Sequence, residues 1–173
     1  LGRVVQAVVA LLAAHRGGLR REEMAEFLWE AGKLASVRQA LYELRKLPGS
    51  ELWLVEEGPQ VRLEVASDAA LFEDALADAN PEAALEHYDG EFLAGFQDVN
   101  VPAFLDWLAF ERQRLELAYL KALSADAKRL EAEGQFGAAR LRIQQALAAE
   151  PLDEGLYRTG MRLAYVQGDV ASA

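Results

Sequence analysis

Apolar residues recur every three or four positions along most of the chain, which is the spacing of one side of an α-helix. In the first part of the sequence this pattern, punctuated by glycine and proline, predicts three helices. They cover Arg3–His15, Arg21–Trp29 and Ser36–Leu47. Two further apolar runs predict strands at Leu52–Val55 and Gln60–Val65, joined by a turn at Glu56-Glu57-Gly58-Pro59. This order is typical of a winged helix-turn-helix, whose third helix enters the major groove of DNA.

The predicted third helix has one apolar and one polar side. Its apolar residues recur at i, i+3, i+4 and i+7 and are expected to be buried: Val37, Ala40, Leu41, Leu44 and Leu47. Ser36 is expected to cap the first turn, and Pro48-Gly49 to end the last one. The polar side carries three cations, an amide and a phenol: Arg38, Gln39, Tyr42, Arg45 and Lys46.

This polar side suits a DNA major groove. Arg pairs with guanine and Gln with adenine through two hydrogen bonds, while further cations and hydroxyls hold phosphates. An ordinary amphipathic helix with a solvated face has the same pattern. The two preceding helices and the hairpin favour the DNA-binding interpretation, because five successive elements are more specific than one helix.

After Ala66 the pattern is wholly helical. It predicts helices at Ala69–Ala79, from Pro81 to near Gly90, and at Pro102–Glu133, with an irregular segment at Glu91–Val101. Gly134 and Gly168 then lie 34 residues apart, which is the period of a tetratricopeptide repeat. Small and apolar residues at the repeat positions support that period: Phe136, Ala139, Ile143, Ala146 and Pro151 in one unit, and Met161, Ala164, Val170 and Ala173 in the next. Because Ala173 corresponds to Ala139, the chain is expected to stop just inside a repeat and to be C-terminally truncated.

Charge is spread unevenly between the two parts. The net charge is −10, but residues 1–67 carry nine Lys and Arg against nine Asp and Glu, whereas residues 68–173 carry nine against nineteen. This asymmetry predicts two modules with different partners, at residues 1–66 and 67–173. The chain contains no cysteine, and no apolar run approaches the length of a membrane span, so a cytoplasmic protein without membrane partners is expected.

The sequence predicts neither an enzyme nor a cofactor. Its two histidines, His15 and His87, lie in no cluster with metal-ligand spacing. Gly32-Lys33 lacks the first glycine of a phosphate-binding loop and is followed by Leu34, where magnesium needs Ser or Thr.

Taken together, the two parts resemble the bacterial transcriptional activator domain (BTAD) proteins, including the SARP-type regulators. The matching segments are LRREEMAEFLW (Leu19–Trp29), SVRQALYELRKL (Ser36–Leu47), YDGEFLAGF (Tyr88–Phe96), FLDWLAFERQRLELAYLKAL (Phe104–Leu123) and the repeat. The resemblance covers essentially the whole chain. It implies an OmpR-like winged helix joined to a tetratricopeptide-like helical domain. The family's winged helix normally begins with a small sheet ahead of its first helix, so that sheet is expected to be missing or truncated here.

The resemblance further implies transcriptional regulation, in which the winged helix binds double-stranded promoter DNA. The helical domain would contact RNA polymerase or another protein, and a homodimer is left open. Arg38, Gln39 and Tyr42 are then the candidates for base contacts, and Arg45 and Lys46 for phosphate contacts. The alternative is a protein-interaction scaffold whose winged helix no longer binds DNA. The zero net charge of residues 1–67 favours that alternative, and so does the turn at Glu56-Glu57, because its two carboxylates would repel phosphates.

Overall fold

The computed structural model describes residues 2–29, 33–96 and 99–168. Over these residues the chain forms helices α1 to α9 and a three-stranded antiparallel sheet. In chain order the elements are α1 (Arg3–Ala14), β1 (Leu19–Arg20), α2 (Arg21–Leu28), α3 (Leu34–Arg45), α4 (Ser50–Trp53), β2 (Leu54–Glu57), β3 (Gln60–Leu63), α5 (Asp68–Ala77), α6 (Pro81–Glu86), α7 (Pro102–Ala132), α8 (Phe136–Ala149) and α9 (Glu154–Val166). The predicted fold class is confirmed: a mostly α chain with a winged helix-turn-helix followed by a helical array.

The chain divides into two compact units. The first, here called the winged-helix unit, comprises Leu1–Leu71 and Gly90–Gln113. The second, here called the helical unit, comprises Phe72–Asp89 and Arg114–Ala173. No helix in the described part of the chain is both long and apolar enough to cross a membrane.

The first three helices of the winged-helix unit bury one apolar side each. The residues with almost no exposure are Ala7, Val8, Leu11 and Leu12 of α1, Met24, Ala25 and Leu28 of α2, and Val37, Leu41 and Leu44 of α3. Their spacing within each helix is the i, i+3, i+4 spacing of the sequence prediction. Packing of these three sides fixes the orientation of α3 and leaves its polar side facing outward.

The sheet differs from the predicted hairpin in three ways. Leu19 and Arg20 form an additional strand, β1, which pairs with Val61 and Gln60 of β3. The first predicted strand begins two residues too early, because Leu52 and Trp53 belong to the short helix α4. Glu56 and Glu57, predicted in the turn, are instead the last residues of β2. The turn itself is therefore reduced to Gly58-Pro59.

The start of α3 also differs from the prediction. The helix begins at Leu34, and the backbone N–H of Ser36 donates to the carbonyl oxygen of Lys33 at 3.0 Å. Ser36 therefore lies within the first turn and does not cap it; the N-cap residue is Lys33, which makes no side-chain cap. The C-terminal end agrees more closely, since α3 ends at Arg45 with Lys46 as its C-cap.

Residues of the later segment Gly90–Gln113 complete the core of the winged-helix unit. Trp107 packs against the ring of His15 at a centroid distance of 5.8 Å, and against Phe104 at 5.4 Å. Phe92 meets Trp107 edge-on at 6.0 Å. Arg112 donates to the carbonyl oxygens of Phe92 and Leu93, at 2.8 Å each. The irregular segment after Gly90 is thus held by the first turns of α7, which begins at Pro102 and runs unbroken to Ala132.

The helical unit contains a small core between α7, α8 and α9, formed by Ala127, Leu130, Ala139, Ile143 and Leu163. Gly134 and Gly168 both adopt left-handed backbone conformations after a helix, with φ of 76° and 78°. Equivalent helix ends therefore recur at the predicted spacing. Val170 and Ala173, which the repeat pattern also used, lie outside the described residues.

A carboxylate lies fully buried in the helical unit. Asp126 accepts hydrogen bonds from Arg129 at 2.8 and 3.0 Å and from Arg142 at 2.7 Å. Both arginines retain partial exposure, so each offsets the cost of burying the carboxylate while its own charge stays partly hydrated. Asp126 therefore ties α7 to α8.

Candidate nucleic-acid interface

The outward side of α3 carries the predicted base-contacting residues. Arg38, Gln39 and Tyr42 are exposed, and the side chain of Tyr42 keeps 51% of its accessible surface. Tyr42 lies one turn beyond Arg38 and Gln39 and beside both on the helix surface, because residues three and four apart on a helix are neighbours. Arg38 makes no hydrogen bond or ion pair with any residue that the structure describes, so its guanidinium is directed to solvent.

The other polar residues of this side interact with one another. Gln39 and Lys46 both donate to the same oxygen of Glu43, at 3.0 Å each. The Lys46 ammonium also lies 4.2 Å from the centre of the Tyr42 ring. Its hydrogen bond to Glu43 raises the pKa of Lys46 above the ordinary value. Glu43 therefore supplies a negative charge to a side that the sequence predicted as cationic.

Ser36 lies at the edge of the polar side and is half-buried. With Gln39 and Glu43 it borders a shallow depression between α1 and α3, whose remaining wall includes Val5 and Trp29. Of the six predicted residues, Ser36 is the one that is partly buried, and the other five are exposed on α3 or at its C-terminal end.

An ion-pair cluster joins the C-terminal end of α3 to the hairpin. Arg45 donates through Nε and Nη2 to the two oxygens of Glu56, at 2.6 and 2.8 Å. Arg21, at the start of α2, donates to Glu56 at 2.7 Å and also to the carbonyl oxygen of Gly58. Arg21, Arg45 and Glu56 are here called the clasp. It connects three elements that the fold brings to one edge.

The clasp changes the electrostatics expected for the wing. The Glu56 side chain retains only 19% exposure, and its hydrogen bond from Arg45 lowers the pKa of the carboxyl group below the ordinary value. The same bond raises the pKa of Arg45. Glu57 is 70% exposed and lies 3.3 Å from Arg62, which also pairs with Glu64 at 2.8 Å. Of the two wing carboxylates, only Glu57 faces solvent broadly.

Arg21 and Glu56 were not predicted as part of this interface. Arg21 was assigned to the start of a helix and Glu56 to a turn, and no sequence spacing links either residue to Arg45. The relation arises because β2 places Glu56 beside the end of α3.

Comparison with known proteins places the chain in a family. Residues 59–173 match the family model described as Bacterial transcriptional activator domain, which is more than half of the chain. The matched range begins at the turn of the hairpin and includes the helical unit, whereas α3 precedes it. No curated protein matches the sequence. The match to the family model nevertheless confirms the resemblance predicted from the sequence, and the chain belongs to the bacterial transcriptional activator domain family.

Proposed function

We propose that this chain is a DNA-binding transcriptional regulator that inserts α3 into the major groove of promoter DNA. The observation that carries the proposal is the outward side of α3, where Arg38, Gln39 and Tyr42 are exposed on a helix held by a buried apolar side. Membership of a transcriptional activator family supports it. The helical unit would contact RNA polymerase or another protein, and the chain would act in the cytoplasm without a catalytic role or a cofactor.

Each exposed residue of α3 has a distinct chemical role in this proposal. Arg38 offers two parallel N–H donors that match the O6 and N7 acceptors of guanine, and Gln39 offers the donor and acceptor pair that matches adenine. The phenol of Tyr42 can reach a base edge or a phosphate oxygen. Lys46, which also pairs with Glu43, would contact the phosphate backbone of the DNA.

Arg45 fits a phosphate contact because the clasp fixes its orientation. Its Nε and Nη2 are occupied by Glu56, while its side chain keeps 51% exposure and its second terminal nitrogen takes part in none of the contacts described. A guanidinium held on one edge loses less conformational entropy when the opposite edge binds a phosphate. Ser36 would lie at the margin of the interface, close enough for a backbone contact only.

A second candidate is a protein-interaction scaffold whose winged helix does not bind DNA. The specific observation that favours it is that two cations on and beside α3 are already in ion pairs. Lys46 is paired with Glu43, and Arg45 is paired with Glu56. Nonspecific DNA affinity depends on the number of phosphates neutralised, so these pairs lower the expected affinity. Arg38 is the cation on α3 that such pairing leaves available.

The deciding experiment is a binding selection from random duplexes, followed by titration of the enriched sequence. Replacing Arg38 by Ala should weaken the enriched duplex by about 1–3 kcal/mol and relax preference at one base pair. Replacing the exposed Arg158 of α9 by Ala removes the same charge outside the interface, and should leave base preference unchanged. The scaffold function would be favoured if no sequence is enriched, or if replacing Arg38, Gln39 and Tyr42 together by Ala does not weaken binding.

A further inference from the structure

The helical unit has a surface groove of about 400 Å³ between α7 and the turn that joins α8 to α9. Its apolar floor is formed by Leu117, Leu120 and Leu156. Leu117 is 50% exposed, so the groove presents apolar surface to solvent. Exposed apolar surface bordered by polar residues is a common feature of protein-binding sites.

The α7 edge of this groove carries two lysines, Lys121 and Lys128, with Ser124 between them. The unit that contains them has a net charge of −6, from eight Lys and Arg against fourteen Asp and Glu, and its arginines are paired with carboxylates or have other partners. Lys121 and Lys128 differ, because neither has a hydrogen bond or ion pair with a residue in the described part of the chain. Their ammonium groups therefore have no internal carboxylate to neutralise them.

The opposite edge has the reverse polarity. It contains Glu150 and Asp153, at the turn between α8 and α9. Asp153 accepts from the backbone N–H groups of Gly155 and Leu156, at 2.7 and 3.0 Å, and so caps α9. Its charge is already engaged by the positive end of that helix. A ligand would consequently meet cations on the α7 side and a weaker negative edge on the other.

We propose that this groove binds an acidic amphipathic helix of a partner protein, with its carboxylates against Lys121 and Lys128. The two lysines are seven residues apart, about 10 Å along α7 at 1.5 Å per residue. A helix lying along α7 has the same rise, so carboxylates at positions i and i+7 face both lysines. Apolar residues at i−4 and i−1 then precede the first carboxylate and cover Leu117 and Leu120. An acidic amphipathic helix would then be the ligand for the protein contact that we proposed for the helical unit. The inference rests on that proposed protein contact.

The test uses the full chain and a labelled 18-residue synthetic helical peptide with Glu at i and i+7 and Leu at i−4 and i−1. A matched peptide carries Gln in place of both Glu residues. Fluorescence anisotropy at low salt should show at least tenfold tighter binding of the Glu peptide. Changing Lys121→Glu and Lys128→Glu together should weaken that binding by more than about tenfold, since two attractions are lost and become repulsions.

Two controls are included. The first tests whether the effect on peptide binding is local or follows from net charge, and the second tests whether the groove variant keeps the proposed DNA binding. The variant with Lys33→Glu and Arg158→Glu changes the net charge equally at exposed positions outside the groove, and should bind the Glu peptide like the parent chain. The groove variant should bind the selected duplex like the parent chain. A chain that binds no duplex but still binds the peptide would contradict the DNA-binding proposal alone.

Three results would overturn the inference. The first is equal affinity for the Glu and Gln peptides, because the lysines would then not recognise carboxylates. The second is self-association that disappears in the Lys121 and Lys128 variant, since the occupant would then be a second copy of the chain. The third is displacement of the peptide by duplex DNA with loss of duplex binding in that variant, which would assign the lysines to phosphates.

Discussion

Glu56 is the most informative residue to change in the winged-helix unit, because it joins α2, α3 and the hairpin. Glu56→Gln keeps the size of the side chain but removes the charge that Arg45 and Arg21 share. A partly exposed ion pair contributes about 0.2–1 kcal/mol, and a two-pronged arginine contact lies at the upper end of that range. With both arginines affected, the free energy of unfolding should fall by about 1–2 kcal/mol.

The three tryptophans allow this change to be measured in the full chain. Trp29, Trp53 and Trp107 all belong to the winged-helix unit, so tryptophan fluorescence follows the unfolding of that unit. At a urea dependence of about 1.5 kcal/mol per molar, the midpoint should fall by about 1 M. Glu57→Gln is the matched control on the adjacent position. Because Glu57 is 70% exposed and has one ion pair at 3.3 Å, its change should cost less than about 0.5 kcal/mol.

The effect of Glu56 should also depend on pH. Because Arg45 lowers the pKa of this carboxyl group in the folded state, the folded protein holds the proton less tightly than the unfolded chain. The stabilisation is therefore complete above the unfolded pKa of about 4.3 and is lost as pH falls through the lowered folded value. The difference between the parent chain and Glu56→Gln should be full at pH 7 and should shrink below about pH 4.3.

Equal urea midpoints for Glu56→Gln and Glu57→Gln at pH 7 would refute the reasoning about the clasp. A difference that persists unchanged well below pH 4 would also refute it, because the effect would then not come from the carboxylate charge.

Two further predictions concern the hairpin. Gly18→Ala should destabilise the winged-helix unit by at least about 2 kcal/mol in the same urea assay, because φ is +80° and the new Cβ would lie 2.7 Å from the Val61 carbonyl oxygen. Gly17→Ala, whose Cβ meets nothing within 4 Å, is its control and should be nearly neutral. If the proposed DNA function holds, Glu57→Lys should tighten binding to any duplex and steepen the salt dependence by up to about 0.9 log units. Parallel salt titrations of the parent chain and this variant would mean that the wing does not approach DNA.

The expectations for the wing illustrate how tertiary contacts alter a charge argument. The sequence placed Glu56 and Glu57 together at the tip, where both would repel phosphates. The structure instead directs Glu56 onto Arg45 and Arg21, so its charge is balanced and its role is to orient Arg45. Only Glu57 retains the predicted repulsion. The sequence alone does not show that Glu56 is paired, because Glu56 lies 11 positions from Arg45 and 35 positions from Arg21.

The sequence by itself determined the features that depend on neighbours within a few positions. The apolar spacing of α3 correctly indicated that Val37, Leu41 and Leu44 are buried, since the period of a helix fixes which residues share a side. The same local rule located the helices of the array and the 34-residue interval between Gly134 and Gly168, both of which end helices. These properties follow from backbone geometry, which is the same wherever the segment lies.

Only the tertiary structure decided the features that depend on distant partners. Leu19 and Arg20 are too short a segment to predict as a strand, and become one by hydrogen bonding to β3 some forty residues later. Ser36 is a residue type that often caps helices, but α3 begins two residues earlier, at Leu34. Arg45 was predicted as a candidate for phosphate contacts, and β2 supplies a carboxylate that accepts from two of its donors. Pairing between segments far apart in sequence, which no local pattern contains, is the physical reason for strand β1 and for the contact of Arg45 with Glu56.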